Sequence, residues 1–174
     1  MTTEYPDEPA GEFPAPPRTV TDREDREIDL RAADEGDREQ LVEMYLDFDP
    51  ADRAQGIPPI KEHAIERWLD TILDEECVNV VALNDGVAAG HATLVPDNEG
   101  DYELAIFVLQ AFQGSGIGTV LLETLLGQGQ TEGIEHVWLT VERWNDPAIA
   151  LYRKMGFETQ NAESFEIEMA IRLL

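Results

Sequence analysis

Chemistry is first suggested by the run Gln113-Gly114-Ser115-Gly116-Ile117-Gly118. Glycines at alternate positions let consecutive backbone N–H groups turn toward one concavity, and a helix starting beside them adds its own unpaired amides. Such a concavity suits phosphate oxygens. The run lacks the Lys-Ser/Thr ending of a nucleotide-hydrolysing loop, and no ribose-binding acid at a suitable strand end makes it a dinucleotide site. Taken alone, the spacing serves a tight strand-to-helix connection equally well. Downstream come Leu139-Thr140-Val141, then Asn145, Ala148, Tyr152 and Gly156-Phe157. Asn145 and Tyr152 are seven positions apart, two turns, so on a helix they share one face. Asn145 also suits a helix cap. His63, His91 and His136 are widely separated and Cys77 is the one cysteine, so neither a metal-ligand spacing nor a disulfide is present. The histidines read as ordinary hydrogen-bonded or surface residues.

The elements that must position these residues follow from periodicity. Ile28 and Leu30 alternate with Asp29 and Arg31 in a strand over 28–32. Leu41, Tyr45 and Phe48 make one apolar stripe over 40–48, with Asp37 as the expected cap. Pro50, Gly56, Pro58 and Pro59 make 49–59 a loop, after which Ile65, Trp68, Leu69, Ile72 and Leu73 give a second amphipathic helix. Strands over 78–83 and 87–95 flank Asn84-Asp85-Gly86, a strong hairpin signal, and 102–109 returns antiparallel to the last of them. The glycine turn then runs into a helix carrying Val120, Leu121, Leu122, Leu125 and Leu126, with a strand over 136–141 behind it. A final helix over 147–155 stops at Gly156, and strands near Phe157 and over 165–173 close the chain. Trp68, Trp138 and Trp144 are taken as core, although Trp144 adjoins Asn145.

Residues 28–174 resemble the GNAT superfamily of N-acetyltransferases, carrying both of its central motifs in order. The resemblance implies a single-domain α/β fold, with a mixed, strongly twisted central sheet flanked by helices, and acetyl-CoA as cosubstrate. It implies that the Gln113 to Gly118 turn cradles the pyrophosphate, that Asn145 faces the cofactor, and that Tyr152 stands near the thiol sulfur as the group assisting its departure. It matches Glu103 to a glutamate serving as general base, and a carboxylate near the line of attack is what an ammonium needs before its nitrogen can act as nucleophile. It places at Val108 a backbone N–H that polarises the thioester carbonyl. Ser115 departs from the pattern, since many members carry Arg or Lys there, and backbone amides must then do more of the phosphate binding. Arg153 and Lys154 lie close by in sequence and are left outside the cofactor set. The implied reaction is direct acetyl transfer to a primary amine, of a protein lysine, an N-terminus or a small molecule. A non-catalytic acetyl-CoA sensor would need the cradle but neither Glu103 nor Tyr152. Last strands of this fold often pair between subunits, so the resemblance allows a homodimer, while the sequence itself does not give the oligomeric state.

Composition bounds the partners. With 174 residues, 43% hydrophobic and 28% charged, the chain has the make-up of one globular domain. Lys and Arg number 12 against 37 Asp and Glu, a formal charge of −25, which repels nucleic acid and anionic lipid. Acids are spread over nearly every segment, which reads as a halophile-type surface rather than a patch for a cationic partner. No apolar run of about 18 residues and no signal-like start is visible, so the expectation is a cytosolic protein. Residues 1–27, with Pro6, Pro9, Pro14, Pro16 and Pro17 and no apolar periodicity, are expected to be a disordered tail.

Overall fold

The computed structural model describes residues 3–52, 57–162 and 165–174. An eight-stranded sheet forms in the order β1-β2-β3-β4-β5-β6-β8-β7. Its strands are β1 Arg18–Thr21, β2 Glu27–Ala32, β3 Val78–Asn84, β4 Val87–Pro96, β5 Tyr102–Val108, β6 His136–Glu142, β7 Glu158–Ala162 and β8 Glu166–Arg172. Neighbours are antiparallel except β5 and β6, which are parallel. Helices α1 Arg38–Leu46 and α2 Glu62–Ile72 cover one face, while α3 Ile117–Thr131 and α4 Asp146–Met155 belong to the core of the other. Among the described residues no helix is long and apolar enough to cross a membrane.

Alternation divides each strand between two cores. Val78, Val80 and Ala82 of β3 meet Leu121, Leu122 and Leu125 of α3, while Val81 and Leu83 meet Leu41, Ile65 and Leu69 of α1 and α2. A strand covered on both faces reads as a continuous apolar run, and six of the seven residues of β3 are buried. The β3–β4 hairpin closes through Asp85 and Gly86 at φ 51° and 79°, the paired left-handed conformations of a two-residue turn. Gly156 ends α4 at φ 113°, as its position predicted.

Two expectations need correction. Asp37 occupies the N-cap of α1 without capping it: Asp34 caps the preceding turn, and the buried Asp37 carboxylate instead receives the Arg31 guanidinium at 2.7 and 3.1 Å and the Asp34 N–H at 3.0 Å. The larger difference is in residues 3–27, which pack as a strap around the domain. Tyr5 stacks on His136 at 4.1 Å, Ala10 N–H donates to Arg172 O, and Gln130 Oε1 accepts from Phe13 N–H while its amide donates to Gly11 O. Pro14 and Ala15 then cross α3 at Gly127, where a Cβ would come within 2.5 Å of Pro14 backbone. Beyond that crossing the chain becomes β1, paired to β2 over four residues. A segment without its own apolar period is ordered by a groove that another element supplies, so its composition alone misleads.

Candidate active site

The site is an opening in the sheet. β5 and β6 pair at only two positions, Tyr102 with Val137 and Glu103 with Trp138, and then diverge. β6 does not need β5 for its backbone bonds, because β8 pairs with it over seven positions. The facing edges beyond Glu103 therefore keep N–H and C=O groups that no neighbouring strand pairs. Which amides of β5 face the gap follows from register. Leu109 N–H donates to Ala89 O at 2.9 Å, and the pairs His91 with Phe107 and Gly90 with Val108 continue the ladder. Bonded and non-bonded pairs alternate in an antiparallel ladder, so the N–H groups of Ile106 and Val108 point away from β4 and into the opening.

A cleft of about 810 Å³ occupies this opening, lined among others by Glu103, Val108, Gln113, Asn145 and Tyr152. Glu103 stands on the side of the sheet that carries α1 and α2, in line with Ala105 and Phe107, whereas Tyr152 belongs to the core on the α3 side. Carboxylate and phenol thus reach one cleft from opposite faces. Loss of solvation, with repulsion from Asp97 and Glu168, raises the Glu103 pKa above the ordinary glutamate value. Burial pushes the Tyr152 phenol up to about 12, so it holds its proton at neutral pH, and its ring packs edge-on to Phe157. A carboxyl of raised basicity and a protonated phenol are what a base and an acid require.

The glycine turn sits where β5 hands the chain to α3. Gly114 and Gly116 adopt φ 75° and 93°, the left-handed region in which a side chain is strained, and Gly116 is the N-cap of α3 without any side-chain cap. The first amides of α3 are thereby left for a ligand. Gln113 acts indirectly: its amide donates to Val108 O at 3.0 Å and to Asp52 Oδ2 at 2.9 Å, tying the end of β5 to the loop after α1. The Ser115 hydroxyl is buried and turned back to Phe112 O, so it offers nothing to a phosphate. Asn145 caps α4 by accepting from Ala148 N–H at 3.3 Å and also lines the cleft, so it fits both duties.

Other sequence candidates fall outside the chemistry. His91 is fully buried between Tyr45 Oη at 2.6 Å and Asn79 Oδ1 at 2.7 Å, and desolvation depresses its pKa to about 3, a neutral core histidine. Among the described residues no group of three or more His, Cys, Asp or Glu side chains is placed to hold a metal ion. Trp144 is not core: it is 66% exposed and borders the cleft. Three aromatic residues of the cleft wall had no site role assigned by residue type or spacing. Phe48 and Trp68 were placed on the apolar stripes of two helices and Phe107 within a strand without a role of its own, yet their edge-to-face cluster with Tyr45 walls the cleft on the α2 side. Alternation along β5 was the signal available for Phe107, since it shares a face with Glu103.

The family model of the acetyltransferase (GNAT) family matches residues 38–157. Over 46 residues the chain is 46% identical to the ribosomal protein bS18-alanine N-acetyltransferase of Salmonella typhimurium, a stretch of 26% of this chain and 31% of that protein. Over 102 residues it is 29% identical to the IAA acetyltransferase of Azospirillum brasilense, covering 58% of this chain and 65% of that one. The match thus spans less than a third of the first relative's length and just under two thirds of the second's. In fold it is similar to the GNAT domain of S. lividans PAT, with a TM-score of 0.76, 19% identity and coverage of 90% of this chain and 96% of that one. An N-acetyltransferase from Thermoplasma acidophilum in complex with coenzyme A superposes with a TM-score of 0.66 at 20% identity, over 83% and 98% of the two chains. With the family model spanning more than half of its length and the fold shared across most of the rest, this chain belongs to the GNAT family of acetyltransferases.

Proposed function

We propose that the protein transfers the acetyl group of acetyl-CoA to a primary amine by direct attack within a ternary complex. The observation that carries this reading is the opening between β5 and β6, lined by Glu103, Val108, Gln113, Asn145 and Tyr152, with the glycines of the turn leading from Gln113 into α3. The residues fit the cosubstrate: amides at the start of α3 suit its pyrophosphate, and the open edge of β5 suits an arm that itself carries amides. Acetyl-CoA supplies an acyl group activated as a thioester. Glu103 accepts the proton that the ammonium must lose. The Val108 N–H, fixed by its ladder, donates to the carbonyl oxygen as charge develops there, without reorganisation. The Tyr152 hydroxyl gives its proton to the departing sulfur. Cys77 is unsuited to carry the acetyl group, because desolvation and the neighbouring Asp74 and Glu76 push its thiol up to about 11.

On the acceptor side the wall is aromatic, with Phe48, Trp68 and Phe107, and acidic at Glu103 and Asp52. That combination suits a cationic amine borne on an apolar group, whether a protein terminus, a lysine or a small molecule. Further parts of the reading are a cytosolic location, a surface acidified for high salt, and pairing of two copies through β7, which lies at the edge of the sheet. The test is a panel of amines and peptides assayed for release of CoA thiol. Turnover with at least one amine is expected. Tight acetyl-CoA binding without turnover on any acceptor class would make the protein a sensor instead.

A further inference from the structure

The glycine turn carries no cation of its own, and the strap places an arginine beside it. The β1–β2 turn, residues 22–26, is fastened onto residues 111–115. Asp22 Oδ1 accepts from the N–H groups of Glu24 and Arg26 at 2.9 Å, and Asp22 Oδ2 pairs with Arg26 Nε at 2.8 Å. The Arg26 guanidinium lies 4.2 Å from the Phe112 ring centroid and donates to Ala111 O at 3.2 Å. Arg23 N–H donates to Ser115 O at 3.0 Å. One of the two arginines is thus consumed in holding the turn, while the other is left over. Arg23 Nε stands 3.8 Å from where a Cβ on Gly116 would be, at a hollow of about 240 Å³ formed by Thr21, Asp22, Arg23, Ser115, Gly116 and Ile117. Among the described residues no carboxylate pairs with Arg23. In a chain with 37 acids and 12 bases, an unpaired guanidinium beside unpaired helix amides is an unusual placement.

We infer that Arg23 is a phosphate-binding residue of the acetyl-CoA site, supplied from outside the cofactor motif by the N-terminal strap. The inference rests on the acetyl-CoA reading above. A guanidinium presents its N–H groups as a planar fork to phosphate oxygens, while the α3 amides hold the same group from the other side. It also offsets locally the field of a chain of net charge −25, which opposes the approach of any polyanion. The strap then does more than pack: without it the cradle keeps its amides and loses its charge.

Calorimetry on the full chain tests this with acetyl-CoA and with 3′-dephospho-CoA, each at about 0.05 M and about 0.5 M KCl. Arg23→Ala should weaken acetyl-CoA binding about tenfold at low salt, equivalent to about 1.4 kcal/mol, and Arg23→Lys should recover most of it. The gap between parent and Arg23→Ala should narrow at high salt, since the residue is exposed and its field screened. An equal loss with 3′-dephospho-CoA assigns Arg23 to the pyrophosphate; a loss confined to acetyl-CoA assigns it to the 3′-phosphate. Arg153→Ala, the same charge change at an arginine outside both hollows, should leave affinity unchanged, so an equal loss there would overturn the inference in favour of net charge. Equal affinity of parent and Arg23→Ala would overturn it as well, with the acetyl-CoA reading intact. A parent that binds neither ligand would overturn both. A thermal melt accompanies each variant, and Arg23→Gln replaces Arg23→Ala if the alanine variant is unfolded.

Discussion

Glu103 and Tyr152 line one cleft from opposite faces of the sheet, and their environments suit the opposite duties proposed for them. Desolvation and two neighbouring carboxylates raise the Glu103 pKa, which strengthens it as a proton acceptor, while burial keeps the Tyr152 phenol protonated up to about 12. Replacing Glu103 by Gln keeps the shape and abolishes the basicity, so turnover should fall about a hundredfold with acetyl-CoA affinity nearly unchanged. Raising the pH should partly restore it, since more amine is then already neutral. Tyr152→Phe should also slow turnover, yet high pH should not rescue it, because a neutral amine does nothing for the leaving sulfur. The sign at Glu103 can be checked separately. Glu168 contributes repulsion, so Glu168→Gln should lower the Glu103 pKa and move the acid limb of the pH–rate profile to lower pH. Near-parental pH–rate profiles in both Glu103→Gln and Tyr152→Phe would leave positioning and the Val108 N–H as the source of rate.

Among the elements, α3 carries two jobs on two ends. Its N-terminus with Gly116 faces the proposed phosphates, and its middle accepts the strap at Gly127. A glycine inside a helix ordinarily costs roughly 0.5–1 kcal/mol against alanine, so its presence calls for a steric reason. Here the reason is the Pro14 backbone, which a Cβ at Gly127 would meet at 2.5 Å. Gly127→Ala should therefore destabilise the full chain, by roughly 1–3 kcal/mol as for other overpacked sites. In a chain shortened to begin at residue 18, the same substitution should stabilise by roughly 0.5–1 kcal/mol, because only helix propensity remains. Denaturant melts of the four combinations measure it, and stabilisation in the full chain would mean that the strap does not lie on α3 in solution.

For the whole molecule, charge dominates. Arginines pair both near and far in sequence, as Arg31 with Asp37 and Arg38 with Glu35 and Asp70, and 37 acids cannot be matched by 12 bases. Self-repulsion works against the compact state and salt screens it, with a Debye length of roughly 10 Å at 0.1 M falling to roughly 3 Å at 1 M. The melting temperature should accordingly rise with KCl from about 0.1 M to about 1 M. A flat profile would count against a salt-adapted surface and favour a cationic partner. Measuring cofactor affinity over the same series shows how the opposing trends combine, since screening relieves repulsion of the CoA phosphates by the acids and weakens attraction by Arg23.

Local order was legible in the residues themselves. Period-two and period-3.6 patterns marked β2 to β6 and all four helices, Asp85-Gly86 marked the hairpin, and Gly156 marked the end of α4, because each depends on backbone preferences and on one apolar face. The glycine turn and the spacing of Asn145 and Tyr152 pointed to a candidate site through the family resemblance, since by themselves they serve a tight connection and a helix cap equally well. Tertiary structure alone decided the rest. That β5 and β6 part after two pairs depends on β8 binding the other edge of β6, a contact between distant segments that no local pattern encodes. Asp37 reads as a cap until Arg31 on a neighbouring strand claims it. Residues 3–27 lack a hydrophobic period and read as disordered, because the partners that order them, Gln130, His136, Arg172 and the groove at Gly127, lie more than a hundred residues away. Arg23 becomes a candidate for the phosphates only when that strap closes onto Ser115, since its meaning is fixed by what it is folded against and not by its neighbours in sequence.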